Sequence, residues 1–140
     1  MTEAAPLRAV AAVRDLFWSA RIRETARLAA RPLLIVRSPD ELRAALEEAP
    51  AALAIVDLTT PGWDYDALLD VLEGSRPRPP VLGFTTHALA RQTRPHHARC
   101  DRVVTKETLT QELGAIMTHG HPDGQPPTPA SSRREKETTR

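Results

Sequence analysis

The sequence predicts an α/β fold, a parallel five-stranded sheet covered by helices on both faces. Short apolar runs rich in branched residues alternate with stretches of helical periodicity along the chain, the pattern of repeated strand–helix units. One run, Leu53 to Val56, has no polar side, as expected of a strand buried on both faces in the middle of a parallel sheet. It ends abruptly on Asp57, with Pro61-Gly62 following as a turn signal. An unpaired buried carboxylate is costly, yet the carboxyl ends of central strands are where ligands bind in open α/β sheets. Asp57 is therefore the first candidate functional residue.

The strands and helices follow in order. Leu7 to Val13 reads as a first strand, followed by Arg14-Asp15. From Leu16 to Ala30 the pattern is helical, with Trp18, Ile22, Ala26 and Ala29 on one stripe, and Pro32 as its stop. Leu33 to Val36 is a second strand. Ser38-Pro39-Asp40-Glu41 opens the next helix: Ser38 caps, Pro39 suits the first helical position and Glu41 completes a capping box. That helix runs to about Ala49 with Leu42, Ala45 and Leu46 inward, and Pro50 closes it before the central strand.

After Pro61-Gly62, Asp64 caps a third helix whose inner face is Ala67, Leu68, Val71 and Leu72, with Gly74 as its stop. The stiff connector Arg76 to Pro80 leads into a fourth strand, Val81 to Thr85. His87 to Arg94 is read as a helix cut to two turns by Pro95. Arg102 to Thr105 is a fifth strand ending at Lys106. Thr108 with Gln111 makes a capping box for a last helix carrying Leu109, Leu113, Ile116 and Met117. Residues 1–118 form the domain, and from about His119 the composition turns to Gly, Pro, Ser, Thr and charge, predicting a disordered tail over 119–140.

Composition bounds the function. A length of 140 residues, with 41% hydrophobic and 26% charged, fits one globular domain. A net charge of +1 argues against direct nucleic-acid binding or membrane attraction by the chain as a whole. Cys100 is alone, so no internal disulfide is expected and a reducing, cytoplasmic location fits. Arg8, Arg14, Asp15 and Arg21 interrupt the first thirty residues, which speaks against a signal peptide, and no run of eighteen apolar residues predicts a membrane span.

Right-handed crossovers between such units and a chain of this size suit the flavodoxin-like strand order 2-1-3-4-5. In that order the first and third strands are neighbours at the switch point. Asp15 and Asp57 then meet at one end of the sheet, with Thr85 beside them and Lys106 beyond.

An acid after the first strand, Asp57 with Pro61-Gly62 after the third, Thr85 after the fourth and Lys106 after the fifth resemble the receiver domain of bacterial response regulators. The resemblance covers about residues 7 to 118. It implies a stand-alone, CheY-like phosphorelay domain, not an enzyme in its own right, in which Asp57 accepts a phosphoryl group from a histidine kinase or phosphotransfer protein. It also implies Mg²⁺ held by Asp15, Asp57 and the backbone carbonyl of Thr59, with the Thr85 hydroxyl and the Lys106 ammonium on the phosphoryl oxygens. Such a transfer needs an in-line acceptor, a hard cation and positive charge on the equatorial oxygens. A downstream protein target or a homodimer would carry the output.

The chain departs from the family pattern in several places. Arg14 stands where receivers carry a second acid, Val103 where many have an aromatic residue, and Glu107 where a Pro is usual. Arg14 has two readings: a built-in counter-ion that weakens or replaces Mg²⁺, or a side chain turned to solvent. Trp18 and Trp63 are both expected near the pocket rim, Trp18 as a packing residue. The rival to the receiver is a phosphorylation-independent pseudo-receiver serving as an interaction module. A small hydrolase or ligand-binding protein on the same fold is disfavoured, because no Gly-rich loop follows the first strand and no nucleophile–base pair is present.

His87, His96, His97 and Cys100 lack the paired spacing of a zinc site and read as a solvated loop. Charge is unevenly spread: residues 40–73 carry nine acids against Arg43 alone, whereas residues 91–106 carry Arg91, Arg94, Arg99, Arg102 and Lys106 against Asp101 alone. The two patches are read mainly as solvated faces, with partner steering or head-to-tail pairing as the alternative.

Overall fold

The branched run expected at the centre forms β3, Ala51–Asp57, and the computed structural model describes residues 7–126 around it. Leu53, Ala54, Ile55 and Val56 are at most 1% exposed, as a strand covered on both faces requires. β1 (Arg8–Ala12) and β4 (Val81–Thr85) flank it, and β2 (Leu33–Val36) and β5 (Arg102–Thr105) form the edges. All pairings are parallel and the order is β2-β1-β3-β4-β5. The intervening helices are α1 (Leu16–Leu28), α2 (Pro39–Glu48), α3 (Tyr65–Gly74), α4 (Ala90–His97) and α5 (Lys106–His119). This is the flavodoxin-like arrangement the sequence predicts.

Side-chain alternation along the strands divides the interior in two. Ala9, Ala11, Leu53, Ile55, Leu82 and Phe84 point to a core closed by Trp18, Ile22 and Ala26 of α1 and by Leu109, Leu113, Ile116 and Met117 of α5. Val10, Ala12, Ala54, Val56 and Val81 face the opposite core, closed by Leu42 and Ala45 of α2 and by Leu68, Leu69 and Leu72 of α3. Truncating any of these leucines to Ala costs about 2–5 kcal/mol. Gly83 makes the packing over the second core possible. A Cβ there would lie 2.9 Å from Leu58 Cδ1 and 3.1 Å from Cys100 Sγ.

Local signals set most of the boundaries. Asp15 caps α1 by accepting from the Trp18 N–H at 2.9 Å, and Asp64 caps α3 by accepting from the Ala67 N–H at 2.9 Å. Ser38 caps α2 through the Glu41 N–H at 3.1 Å, while the Glu41 carboxylate reaches back to the Arg37 N–H at 2.8 Å. The expected box therefore closes one residue upstream of its usual partner. On α3 Leu69 is buried, whereas Ala67 is only half-buried.

Three expectations need correction. α1 stops at Leu28, well before Pro32, because Ala30 turns into the left-handed region at φ 57°. α4 has the expected two turns but lies further along. Residues 86–89 close a tight turn through the Leu89 N–H to Thr86 O bond, so the helix starts at Ala90 and carries Pro95 inside it. α5 begins at Lys106 and is capped by Thr105, whose hydroxyl accepts from the Thr108 N–H at 3.2 Å. Thr108 therefore lies inside the first turn, and Lys106 opens a helix.

At the far end of the chain Pro122 is buried and its carbonyl accepts from Arg102 at 3.0 Å. The rest of the expected tail, 127–140, lies outside the described residues, as do residues 1–6. Arg31, just before β2, donates to the carbonyls of Met117, Thr118 and Leu7. It ties the end of α5 to the entry of β1. Among the described residues no helix is long and apolar enough to cross a membrane.

Candidate functional site at the carboxyl ends of the strands

Asp57 is the last residue of β3, paired in register with Phe84 of β4, and the ladder continues one step through the Leu58 N–H to Phe84 O bond at 2.9 Å. The side chain is almost fully buried at 1% exposure. Its Oδ1 accepts from the Thr59 N–H at 2.8 Å and from the Thr59 hydroxyl at 2.6 Å. Oδ2 receives no hydrogen bond among the described residues. The buried strand thus ends on a carboxylate with one oxygen held and the other available.

The loop after Asp57 is fixed by a residue that sequence reasoning missed. The Tyr65 hydroxyl donates to the Asp57 carbonyl at 2.7 Å and accepts from the Thr60 N–H at 2.8 Å. Gly62, following Pro61, takes φ 73°, the left-handed conformation that the turn demands of it. Burial pushes the Tyr65 phenol up to about 12, against hydrogen bonds from Thr60 and with a further push from Asp57. As the first residue of α3, Tyr65 had no sequence signal beyond being the only tyrosine in the chain.

The other predicted residues gather at the same end of the sheet. β1 pairs with β3 up to Ala12 and Val56, so Arg14 and Asp15 leave β1 beside Asp57, while Thr85 pairs with Thr105 immediately before Lys106. Their side chains are nevertheless engaged elsewhere. Asp15 caps α1 with one oxygen. The Lys106 ammonium lies 5.8 Å from the ring centroid of Trp18, a cation–π distance. Trp18 is buried and packs on Phe84 at 5.5 Å, which bears out its packing role. The Thr85 hydroxyl, 3% exposed as a residue, shares a hydrogen bond with the Thr93 hydroxyl at 3.1 Å.

Arg14 is the residue whose two readings the structure separates. Its guanidinium lies 5.8 Å from the Trp63 ring centroid, the residue is exposed, and among the described residues it makes no ion pair with Asp15 or Asp57. The built-in counter-ion is therefore corrected: the aromatic face of Trp63 draws the guanidinium outward, and the carboxylates keep their free oxygens. Trp63 stands at the rim, half-buried, with its edge on Tyr65 at 5.8 Å between centroids.

The donor set suits a hard cation. Among the described residues no three His, Cys, Asp or Glu side chains converge, but Mg²⁺ is commonly held by one or two carboxylates with water completing the shell. Asp15 and Asp57 supply two carboxylates, each with an oxygen not engaged by the protein, and the Thr59 carbonyl adds a third oxygen type.

The histidine and cysteine group does not form a metal centre. His96 packs its ring on Tyr65 at 5.1 Å, and His97 Nε2 meets the Thr93 hydroxyl at 2.7 Å. Burial lowers the His97 pKa below its ordinary range, helped by Arg94 and His96. Burial, and then the Asp101 carboxylate, push the Cys100 thiol up to about 11, which keeps it unreactive near neutrality. The acidic and basic patches partly meet within the chain. Arg99 lies 3.4 Å from Asp66 and donates to Glu73 and Asp70 of α3, and those two hydrogen bonds raise its pKa.

By sequence, no family model and no curated protein matches the chain. By structure it is similar to the receiver domain of the sensor histidine kinase PA1611 from Pseudomonas aeruginosa, a structure with magnesium in its active-site cleft. That comparison has 16% identity and a TM-score of 0.66, covering 81% of this chain and 95% of that one. It is also similar to the chemotaxis response regulator CheY4 of Vibrio cholerae, with 16% identity and a TM-score of 0.65, covering 80% of this chain and 99% of that one. An adenylate cyclase structure from Rhodopirellula baltica shares the fold too, at 13% identity and a TM-score of 0.64, over 97% of this chain and 99% of that one. At these identities the likeness is one of architecture: the chain has the flavodoxin-like fold that these structures share, with an aspartate at the end of its central strand.

Proposed function

We propose that the chain is a receiver-like signalling domain that accepts a phosphoryl group on Asp57 and acts through a protein partner. The observation that carries this reading is the state of the Asp57 carboxylate: buried, with Oδ1 held by two donors from Thr59 and Oδ2 free. A nucleophile for in-line phosphoryl transfer needs an oriented oxygen with an open lone pair.

In the reaction Oδ2 attacks the phosphorus of a phosphohistidine supplied by a histidine kinase or phosphotransfer protein. A P–O bond forms, the P–N bond breaks, and the imidazole leaves with the electron pair. Thr59 holds the other oxygen still. The Lys106 ammonium turns from the Trp18 face toward the phosphoryl oxygens, and the Thr85 hydroxyl donates to them. Asp15, the Thr59 carbonyl and Asp57, through Oδ1 once the Thr59 hydroxyl gives way to the cation, would hold Mg²⁺, which when bound would neutralise charge on the transferring group. The domain is a substrate of its partner and not an enzyme with its own turnover, and a cytoplasmic setting fits its single quiet thiol.

The rival reading, a pseudo-receiver that binds partners without phosphorylation, is favoured by the present engagement of Lys106 on Trp18 and by Arg14 in place of an acid. Incubating the full chain with acetyl phosphate and Mg²⁺ and weighing it intact separates the two. A phosphoryl adduct that Asp57→Asn abolishes supports the acceptor. No adduct across a Mg²⁺ and Mn²⁺ series leaves the pseudo-receiver.

A further inference from the structure

α4 is attached to the sheet in an unusual way. Its N-terminus has no side-chain cap, Pro95 interrupts its interior, and Thr93 is its one buried residue. A helix normally holds its place with an apolar face. Here the buried contact is a hydroxyl, and it has three neighbours: Thr85 Oγ1 at 3.1 Å, the Ala90 carbonyl at 3.2 Å and His97 Nε2 at 2.7 Å.

A threonine hydroxyl has one proton and two lone pairs. When His97 Nε2 accepts, Thr93 gives its proton to the ring, and Thr85 must donate to Thr93. When Nε2 carries a proton and donates, Thr93 gives its own to Ala90 or to Thr85. When Thr93 donates to the ring or to Ala90, the Thr85 proton is committed to Thr93. When Thr93 donates to Thr85, it is the Thr85 oxygen that is committed. In each arrangement the Thr85 hydroxyl stays bonded to α4. Thr85 is also the group that the proposed function assigns to the phosphoryl oxygens, so one hydroxyl has two competing partners.

We propose that Thr93 is a positioning residue for Thr85. It holds the Thr85 hydroxyl against α4 while Asp57 is unmodified and yields it when a phosphoryl group on Asp57 competes. The turn of α4 carrying His97 then loses its buried tether to the sheet. This assignment rests on the acceptor reading for its trigger, whereas the coupling of Thr85 to α4 through Thr93 stands apart from it.

Two measurements on the full chain separate the parts. Without any phosphodonor, Thr85→Val speeds amide hydrogen exchange across Ala90–His97 and shifts the His97 ring nitrogens in the NMR spectrum, and Thr85→Ser restores both. Unchanged exchange and unchanged His97 signals in Thr85→Val would overturn the coupling, whatever Asp57 does. With limiting acetyl phosphate and Mg²⁺, Thr93→Val raises the ratio of adduct to unmodified chain roughly three- to tenfold, the value of one hydrogen bond no longer competed for, while Thr93→Ser behaves as the unmutated protein. An adduct present in all three proteins at equal ratio overturns the holding role. If no protein takes an adduct, the acceptor reading and the trigger fail together, and the exchange measurement alone decides the coupling.

Discussion

Thr59 is bonded to Asp57 twice through one oxygen: its N–H at 2.8 Å and its hydroxyl at 2.6 Å both donate to Oδ1. The pair orients the carboxylate at the end of a strand where water has little access. Thr59→Val keeps the β-branched shape and the N–H but deletes the hydroxyl, leaving a buried anion with one donor fewer. A hydrogen bond to a charged group is worth about 1.5–3 kcal/mol, so a urea titration should show Thr59→Val less stable by about that amount and Thr59→Ser close to unmutated.

Tyr65 offers a test with a defined pH window. Its phenol is held neutral by burial, with the pKa raised from 10.0 to about 12. A raised value in the folded state means that the stabilisation is complete below the unfolded value and is lost as pH climbs from about 10 toward 12. Tyr65→Phe deletes the bridge from the Asp57 carbonyl to the Thr60 N–H. Urea midpoints should therefore place Tyr65→Phe well below the unmutated protein at pH 8, with the gap closing at pH 11 to 12. A constant gap across that range would contradict the assignment.

Arg14 lies on Trp63 and not against the carboxylates. Replacing it with Gln should change Trp63 emission with no metal added, since a cation leaves the ring face. Arg14→Asp goes further and places a third carboxylate next to Asp15, and Mg²⁺ affinity rises with ligand charge. A fluorescence titration should then reach half-saturation at lower Mg²⁺ in Arg14→Asp than in the unmutated chain. Equal curves would show that the position does not face the cation.

Arg99 joins the segment after α4 to three acids of α3. Such a network is electrostatic and partly exposed, so salt should weaken it. Arg99→Gln should lower the urea midpoint in dilute buffer, and the difference should shrink in about 1 M salt, where the Debye length falls to about 3 Å.

The legible parts of the chain were those set by local chemistry. β2, β4 and β5 have the bounds read from the sequence, because Pro32, Pro80 and polar residues flank their apolar cores. The register of four candidate residues at one pole followed from strand order alone. The start of α5 was harder to read, because Thr105 and Thr108 are both competent caps. The extended backbone of Thr105, at φ −80° and ψ 164°, makes the choice. Arg14 turned outward because Trp63, far away in sequence, is folded beside it. Tyr65 and Thr93 escaped notice for the same reason: their polar partners arrive only through tertiary packing.

Arg31 grips Leu7 on one side and Met117 and Thr118 on the other. The entry of β1 and the end of α5 therefore lie at the pole where the strands begin, with the full length of the sheet between them and Asp57. A protein fused directly ahead of Leu7 would start behind the domain, leaving the mouth of the site clear for an incoming phosphodonor. Leu7 and Thr118, bridged by one guanidinium, are near enough for a short linker, and a circularly permuted chain joined there should keep its Asp57 pole clear.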